Sequence, residues 1–189
     1  MGKKFELFLK QGNYIKSGMK ILDAGCGTGI ATITIYKIAK KQKLPDLKFD
    51  CFDLTPKMLG IFGEWIEKNK ITNIKLFEAD VLQIDRLPQD WKDYDLIISS
   101  SMIEYIPQEL LPQAILNLKS LMKPDGTLLI LVTIKNFITR WLVGWWWEAN
   151  IYTKREIKEI LISAGINDFK ILPFARRWFS STMPIKIKT

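Results

Sequence analysis

Histidine is absent from all 189 positions, and cysteine occurs only as Cys26 and Cys51. Without histidine the chain cannot assemble a Ser–His or Cys–His nucleophile pair, nor use an imidazole as general base. The usual zinc clusters cannot be built from two cysteines alone, so no metal is expected. Each cysteine lies in an apolar or glycine-rich stretch and reads as a buried free thiol. Long apolar runs are also missing. The longest, "LIISSSMI" and "TLLILVTI", are too short to cross a bilayer and are sized for buried strands. The N-terminus "MGKKFELFLKQGN" lacks the apolar core and cleavage site of a secretory signal, and Glu6 departs from the myristoylation pattern. The chain is therefore expected to stay in the cytosol. No internal repeat, linker or low-complexity segment interrupts it.

What is present is the composition of one globular domain, with 48% hydrophobic and 25% charged residues. The net charge of +8 is spread unevenly. Residues 1–44 hold nine Lys/Arg and two acids (+7), residues 45–134 nine and fourteen (−5), and residues 135–189 ten and four (+6). Two basic ends flank an acidic middle. They are either solvated helix faces or a positive rim for anionic lipid, an acidic substrate or nucleic acid.

Apolar runs alternate with helical patterns. "KILDAG" reads as a strand entering a glycine turn, and "TGIATITIYKIAKKQ" as the helix behind it. "LKFDCFDL" is a second strand, followed by the helix "TPKMLGIFGEWIEKN" with Thr55 as cap and Pro56 in its first turn. "NIKLFEAD" and "YDLIISSS" are the next strands. The helix "PQELLPQAILNLKSLM" and a "PDG" turn lead into the strand "TLLILVTI". A helix at "TKREIKEILISAG", ended by Gly165, and strand candidates "DFKILPF" and "MPIKIKT" complete the chain. Such alternation predicts an α/β fold with a parallel sheet covered on both faces.

The segment "ILDAGCGTGI" carries the most chemistry, because a strand running into glycine-rich backbone lets a ligand approach exposed N–H groups. A dinucleotide-binding turn would show G-x-G-x-x-G. Here Ile30 stands where the third glycine belongs.

With "LDAGCGTG", "FDCFDLTPKML", "FEADVLQ" and "YDLIISSSMIEYIP" in order, the chain resembles the class I S-adenosylmethionine-dependent methyltransferases, in particular their small-molecule, ubiquinone/menaquinone-type branch. The resemblance implies a Rossmann-like methyltransferase fold, a seven-stranded mostly parallel sheet of order 3-2-1-4-5-7-6 with the last strand antiparallel. It implies S-adenosyl-L-methionine as cofactor and S-adenosyl-L-homocysteine as product. By the same resemblance, Gly25, Cys26 and Gly27 pack against the methionine part and Asp23 lies near its amino group. Asp53 would hold both ribose hydroxyls, with Leu54 beside it and Met58 over the adenine. Asp80 would accept from the adenine amino group, Val81 would offer a backbone N–H, and Ser99 would sit by the methionine moiety. Taken singly, Asp23 could belong to a tight turn, Asp53 and Asp80 could cap helices, and Met58 could be core. Together, acids at the ends of three successive strands point to the edge where open α/β sheets bind ligands.

The departures narrow the reading. The segment before the first strand, an N-terminal cap of residues 1–18, is shorter than the helical region common in the family, which suggests a more open acceptor pocket. Glu104 and Tyr105 stand where many relatives have histidine, and become candidates for assisting deprotonation of the acceptor, with an exposed turn as the alternative. The "(N/D)PP(Y/F)" segment of amino-methylating nucleic-acid enzymes is missing. The expected activity is methyl transfer to a small apolar or amphiphilic acceptor. An RNA methyltransferase and a catalytically idle cofactor-binding subunit are the alternatives. The Trp-rich segment "TRWLVGWWWEAN", within an insertion over 135–152, follows the fifth strand on the acceptor side. One helical face cannot bury all of Trp141, Trp145, Trp146 and Trp147, so with Arg140 they are candidates for acceptor binding, with core packing or contact with an anionic membrane as alternatives.

Overall fold

The computed structural model describes residues 2–133, 150, 152–173 and 182–188. Along them run α1 (Gly2–Gln11), β1 (Lys20–Ala24), α2 (Ile30–Gln42), β2 (Lys48–Asp53), α3 (Pro56–Lys68) and β3 (Ile74–Glu78). Then follow β4 (Tyr94–Ser100), α4 (Leu111–Ser120), β5 (Met122–Thr133), α5 (Lys154–Ser163), β6 (Phe169–Ile171) and β7 (Thr182–Lys188). Short 3-10 turns occupy Val81–Arg86, Ile103–Tyr105 and Gln108–Leu110.

The strands form one sheet in the order β3-β2-β1-β4-β5-β7-β6. The first five pair in parallel, and β7 runs antiparallel to both β5 and β6. This is the topology that the resemblance implied. Because the central strands are covered on both faces, their residues are apolar in succession and sort by alternation. Ile21, Phe49, Leu96 and Leu129 pack with Phe5, Leu9, Ile35 and Phe62 from α1, α2 and α3. Leu22, Phe52, Ile97 and Leu128 pack with Ile115, Leu118, Ile157 and Leu161 from α4 and α5.

Three local features differ from expectation. The N-terminal segment contains a helix: Phe5, Phe8 and Leu9 fall on one face at i, i+3, i+4 and are buried, and Lys10 pairs with Glu6 at 2.6 Å. Thr55 stands at the N-cap of α3 but makes no capping bond with its side chain; its N–H instead donates to Asp53 Oδ1 at 2.9 Å. The "PDG" turn is absorbed into β5. Met122 already pairs with Tyr94, the intervening residues bulge out with Asp125 at φ +66°, and pairing resumes at Leu96 and Thr127. By contrast α5 begins and ends where its signals lie, with a Thr153/Glu156 capping box and Gly165 at φ +72°. No helix among the described residues is long and apolar enough to cross a membrane.

Candidate functional site

The parallel strands deliver their C-terminal ends to one edge, where the sheet opens toward ligands. At the end of β1 the chain turns sharply, with Gly25 and Gly27 at positive φ (+68° and +53°). The N–H groups of Gly25 and Cys26 both donate to the Phe52 carbonyl at 2.9 Å, which ties the turn to the end of β2. A side chain at Gly25 would collide with that of Met102, whereas the space beside Gly27 is open. The turn therefore presents bare backbone on one side and is closed by Met102 on the other.

Two of the expected acids meet at this corner. Asp53 Oδ2 accepts from the Gly27 N–H at 2.7 Å while its Oδ1 holds Thr55, so the carboxylate links the turn after β1 to the start of α3. Asp23 is buried beneath them, 1% exposed, with Oδ2 accepting from the Thr32 N–H (3.1 Å) and hydroxyl (2.6 Å). Its Oδ1 is buried and has no partner among the described residues. Burial pushes the Asp23 carboxyl up to about 6, against the lowering effect of Thr32 and with a smaller upward push from Asp53. Both cysteines are buried free thiols, and burial raises each thiol, which removes thiolate chemistry. Leu54 and Met58 lie exposed at the same edge, 64% and 40%, and Ile61, one turn beyond Met58, extends the apolar shelf.

Asp80, just past the end of β3, caps the following 3-10 turn by accepting from the Leu82 N–H at 2.9 Å. Val81 is buried, its carbonyl held by the Asn117 amide at 2.8 Å. Ser99 of β4 lies between Ala24 and Ile130 in the register, fully buried, with a hydroxyl that has no partner among the described residues.

The structure separates the two candidates for proton transfer. Glu104 is 4% exposed and reaches across to β5, where it accepts from the Thr133 N–H, while Tyr105 is 60% exposed. For Glu104 the exposed-turn alternative is corrected: Ile103 and Ile106, on either side, pack into the core and carry it inward. Burial raises its carboxyl above the ordinary range. The Asn150 N–H donates to the Glu104 carbonyl at 2.7 Å, and the Asn150 side chain donates to Ile106 O at 3.0 Å. Arg140, Trp141, Trp145, Trp146 and Trp147 lie outside the described residues. Both flanks of that segment are nonetheless held on Glu104, by Thr133 before it and Asn150 after it.

Sequence reasoning missed three neighbours. Thr32 hydrogen-bonds one oxygen of Asp23, Met102 closes the glycine turn, and Tyr152 buries a hydroxyl that has no partner among the described residues, with Glu104 among the charges that raise it after burial itself. No local pattern marks any of them, because each acts on a residue distant in sequence.

Comparison with known proteins agrees with this geometry. Residues 15–165, 151 of the 189, match the family described as a methyltransferase domain. The chain is 28% identical over 151 residues to a highly reducing polyketide synthase of a Fusarium species, covering 75% of this chain and 6% of that protein. It is 31% identical over 109 residues to a malonyl-[acyl-carrier protein] O-methyltransferase of Halalkalibacterium halodurans, covering 58% and 37%. It thus spans well under half the length of these curated relatives. Among solved structures, the citrinin polyketide synthase CMeT domain superposes with a TM-score of 0.74 at 21% identity, over 97% of this chain and 50% of that one. The magnesium protoporphyrin IX methyltransferase of Synechocystis with bound SAH superposes at 0.68 and 21% identity, over 98% and 80%. With the sheet order, the glycine turn and the match over most of its length in agreement, the chain belongs to the methyltransferase-domain family.

Proposed function

We propose that this chain is an S-adenosylmethionine-dependent methyltransferase acting on a small, apolar or amphiphilic acceptor. The observation that carries the reading is the corner at the ends of β1 and β2, where a bare glycine turn is tied to Asp53 above the buried, half-satisfied carboxyl of Asp23. A buried acceptor oxygen without a donor is costly, and a ligand ammonium offers the missing partner. The residues present therefore fit the cofactor: Asp23 and Ser99 toward its amino-acid end, Gly25, Cys26 and Gly27 along it, and Asp53 toward the ribose diol. Leu54 and Met58 form the apolar wall for the adenine, with Asp80 and Val81 at its polar edge. When bound, the cofactor supplies a sulfonium-activated methyl group, so the protein's work is alignment and exclusion of water.

On the acceptor side Glu104 takes the proton. Burial raises its carboxyl, which makes it a better proton acceptor than an ordinary carboxylate, and it is held in place by the Thr133 N–H. Tyr105, exposed, is left to contact the acceptor at the rim. Arg140, Trp141, Trp145, Trp146 and Trp147 belong to the acceptor pocket in this reading, which rests on the two flanks pinned at Glu104. The names of similar proteins, a malonyl-[acyl-carrier protein] O-methyltransferase and a magnesium protoporphyrin IX methyltransferase, support an acceptor that is a small molecule or a carrier-bound acyl group.

Asp53→Ala tests the cofactor site. Calorimetry should show S-adenosylhomocysteine bound more weakly by about 1.5–3 kcal/mol, the range for a lost charged hydrogen bond. Unchanged affinity in a folded variant rejects the assignment. Methyl transfer by the chain alone to acceptors recovered with it and identified by mass spectrometry tests the activity.

A further inference from the structure

A groove of about 710 Å³ lies at the opposite edge of the sheet from Asp23 and Asp53. It is formed where the two basic ends of the chain meet: Tyr14 and Lys16 ahead of β1, and Lys186 and Lys188 of β7. Its position, a strand length of about 15 Å from the glycine turn, makes it a separate site.

The groove carries an excess of positive charge, with Lys16, Lys123, Lys186 and Lys188 against Asp95 and Asp125 in its lining. Lys170 of β6 and Lys186 of β7 are direct partners in the antiparallel ladder and so share a face, and Lys188, two residues on, shares it too. Like charges placed opposite each other on a sheet repel. Lys186 is half-buried, with its ammonium 5.2 Å from the centre of the Tyr14 ring, and it makes no ion pair among the described residues. Burial, then Lys188 and Lys170, push its ammonium below the ordinary value, and Asp168 opposes them. The other acids of the groove leave this charge uncancelled. Asp95 is already held by the Lys20 N–H at 2.8 Å and by the Lys123 ammonium, and Asp125 is exposed on the bulge.

We propose that this groove, lined by Lys16, Lys186 and Lys188 with Lys170 opposite Lys186 in the ladder, binds a phosphate group, free or on a lipid head. Clustered ammonium groups act as point charges and suit the oxyanion of a phosphate group. The aromatic face of Tyr14 orients Lys186 without neutralising it.

The test uses the full chain with inorganic pyrophosphate and, separately, vesicles of phosphatidylglycerol or of phosphatidylcholine. Pyrophosphate should raise the melting temperature, and its affinity should fall at least about ten-fold in Lys186→Gln/Lys188→Gln, with S-adenosylhomocysteine affinity unchanged. Ligand-free, the double variant should melt no lower than the wild type, since repulsion has been removed. Lys188→Gln alone, at an exposed strand end, keeps the test usable if the double variant is unstable. Binding of pyrophosphate assigns a free phosphate, and binding confined to phosphatidylglycerol vesicles assigns a lipid head. No binding of either probe, or binding equal in wild type and variants, overturns the proposal.

Discussion

Asp23, proposed to face the amino-acid end of the cofactor, costs the folded protein stability when it is charged. Its carboxyl has a folded value of about 6 against an ordinary 3.8, so the folded state holds the proton more tightly. Stability is therefore fullest below the unfolded value and is lost as pH rises through the folded one, by roughly 3 kcal/mol from this group. Glu104 and Asp50, also raised by burial, act in the same direction. Asp23→Asn retains an oxygen for Thr32 and carries no charge. In ligand-free denaturation it should match the wild type near about pH 4 and exceed it by roughly 2–3 kcal/mol near about pH 8. A constant gap across that range would show that the buried charge is not what costs stability. At this scale the acids were legible because strand ends announce themselves by a switch from apolar residues to Asp and Gly. The opposite fates of Glu104 and Tyr105 were not. Neighbours in a 3-10 turn point in different directions, and only contact with β5 decides which turns inward.

Elements were legible where their signals are local. The helix at Lys154–Ser163 carries its capping box in sequence, and the strands carry continuous apolar runs. Helix α1 was passed over although Phe5, Phe8 and Leu9 have helical spacing, because a short, lysine-rich segment gains stability only from the face it docks on. The segment between β5 and α5 concentrates the Trp residues, and its flanks converge on Glu104. If it serves the acceptor side, Trp146→Ala/Trp147→Ala should leave S-adenosylhomocysteine affinity nearly intact. The same change should weaken binding of an apolar acceptor or of anionic liposomes. A lower melting temperature with both bindings unchanged would assign the rings to the core, and lost cofactor binding without unfolding would place the segment on the wrong half of the site.

At the scale of the molecule, the sheet order sets which strand ends become neighbours and hence what the glycine turn can bind. Ile30, 54% exposed at the start of α2, replaces the third glycine that a dinucleotide turn needs for close approach. S-adenosylhomocysteine should accordingly bind about ten-fold or more tightly than NADH in direct titration. Equal affinities would return the dinucleotide reading to contention. The sequence by itself determined the alternation of strands and helices, the glycine turn and the acids beside it, since these depend on runs of residues whose periodicity and backbone demands are local. Only the tertiary structure decided that Asp53 binds the Gly27 N–H, that Met102 closes over Gly25, and that Lys186 lies over Tyr14 in a groove that Lys188 also lines. Those pairings join residues separated by many positions in sequence. Which of them meet follows from the order of strands in the sheet, a property of the whole chain that no short stretch encodes.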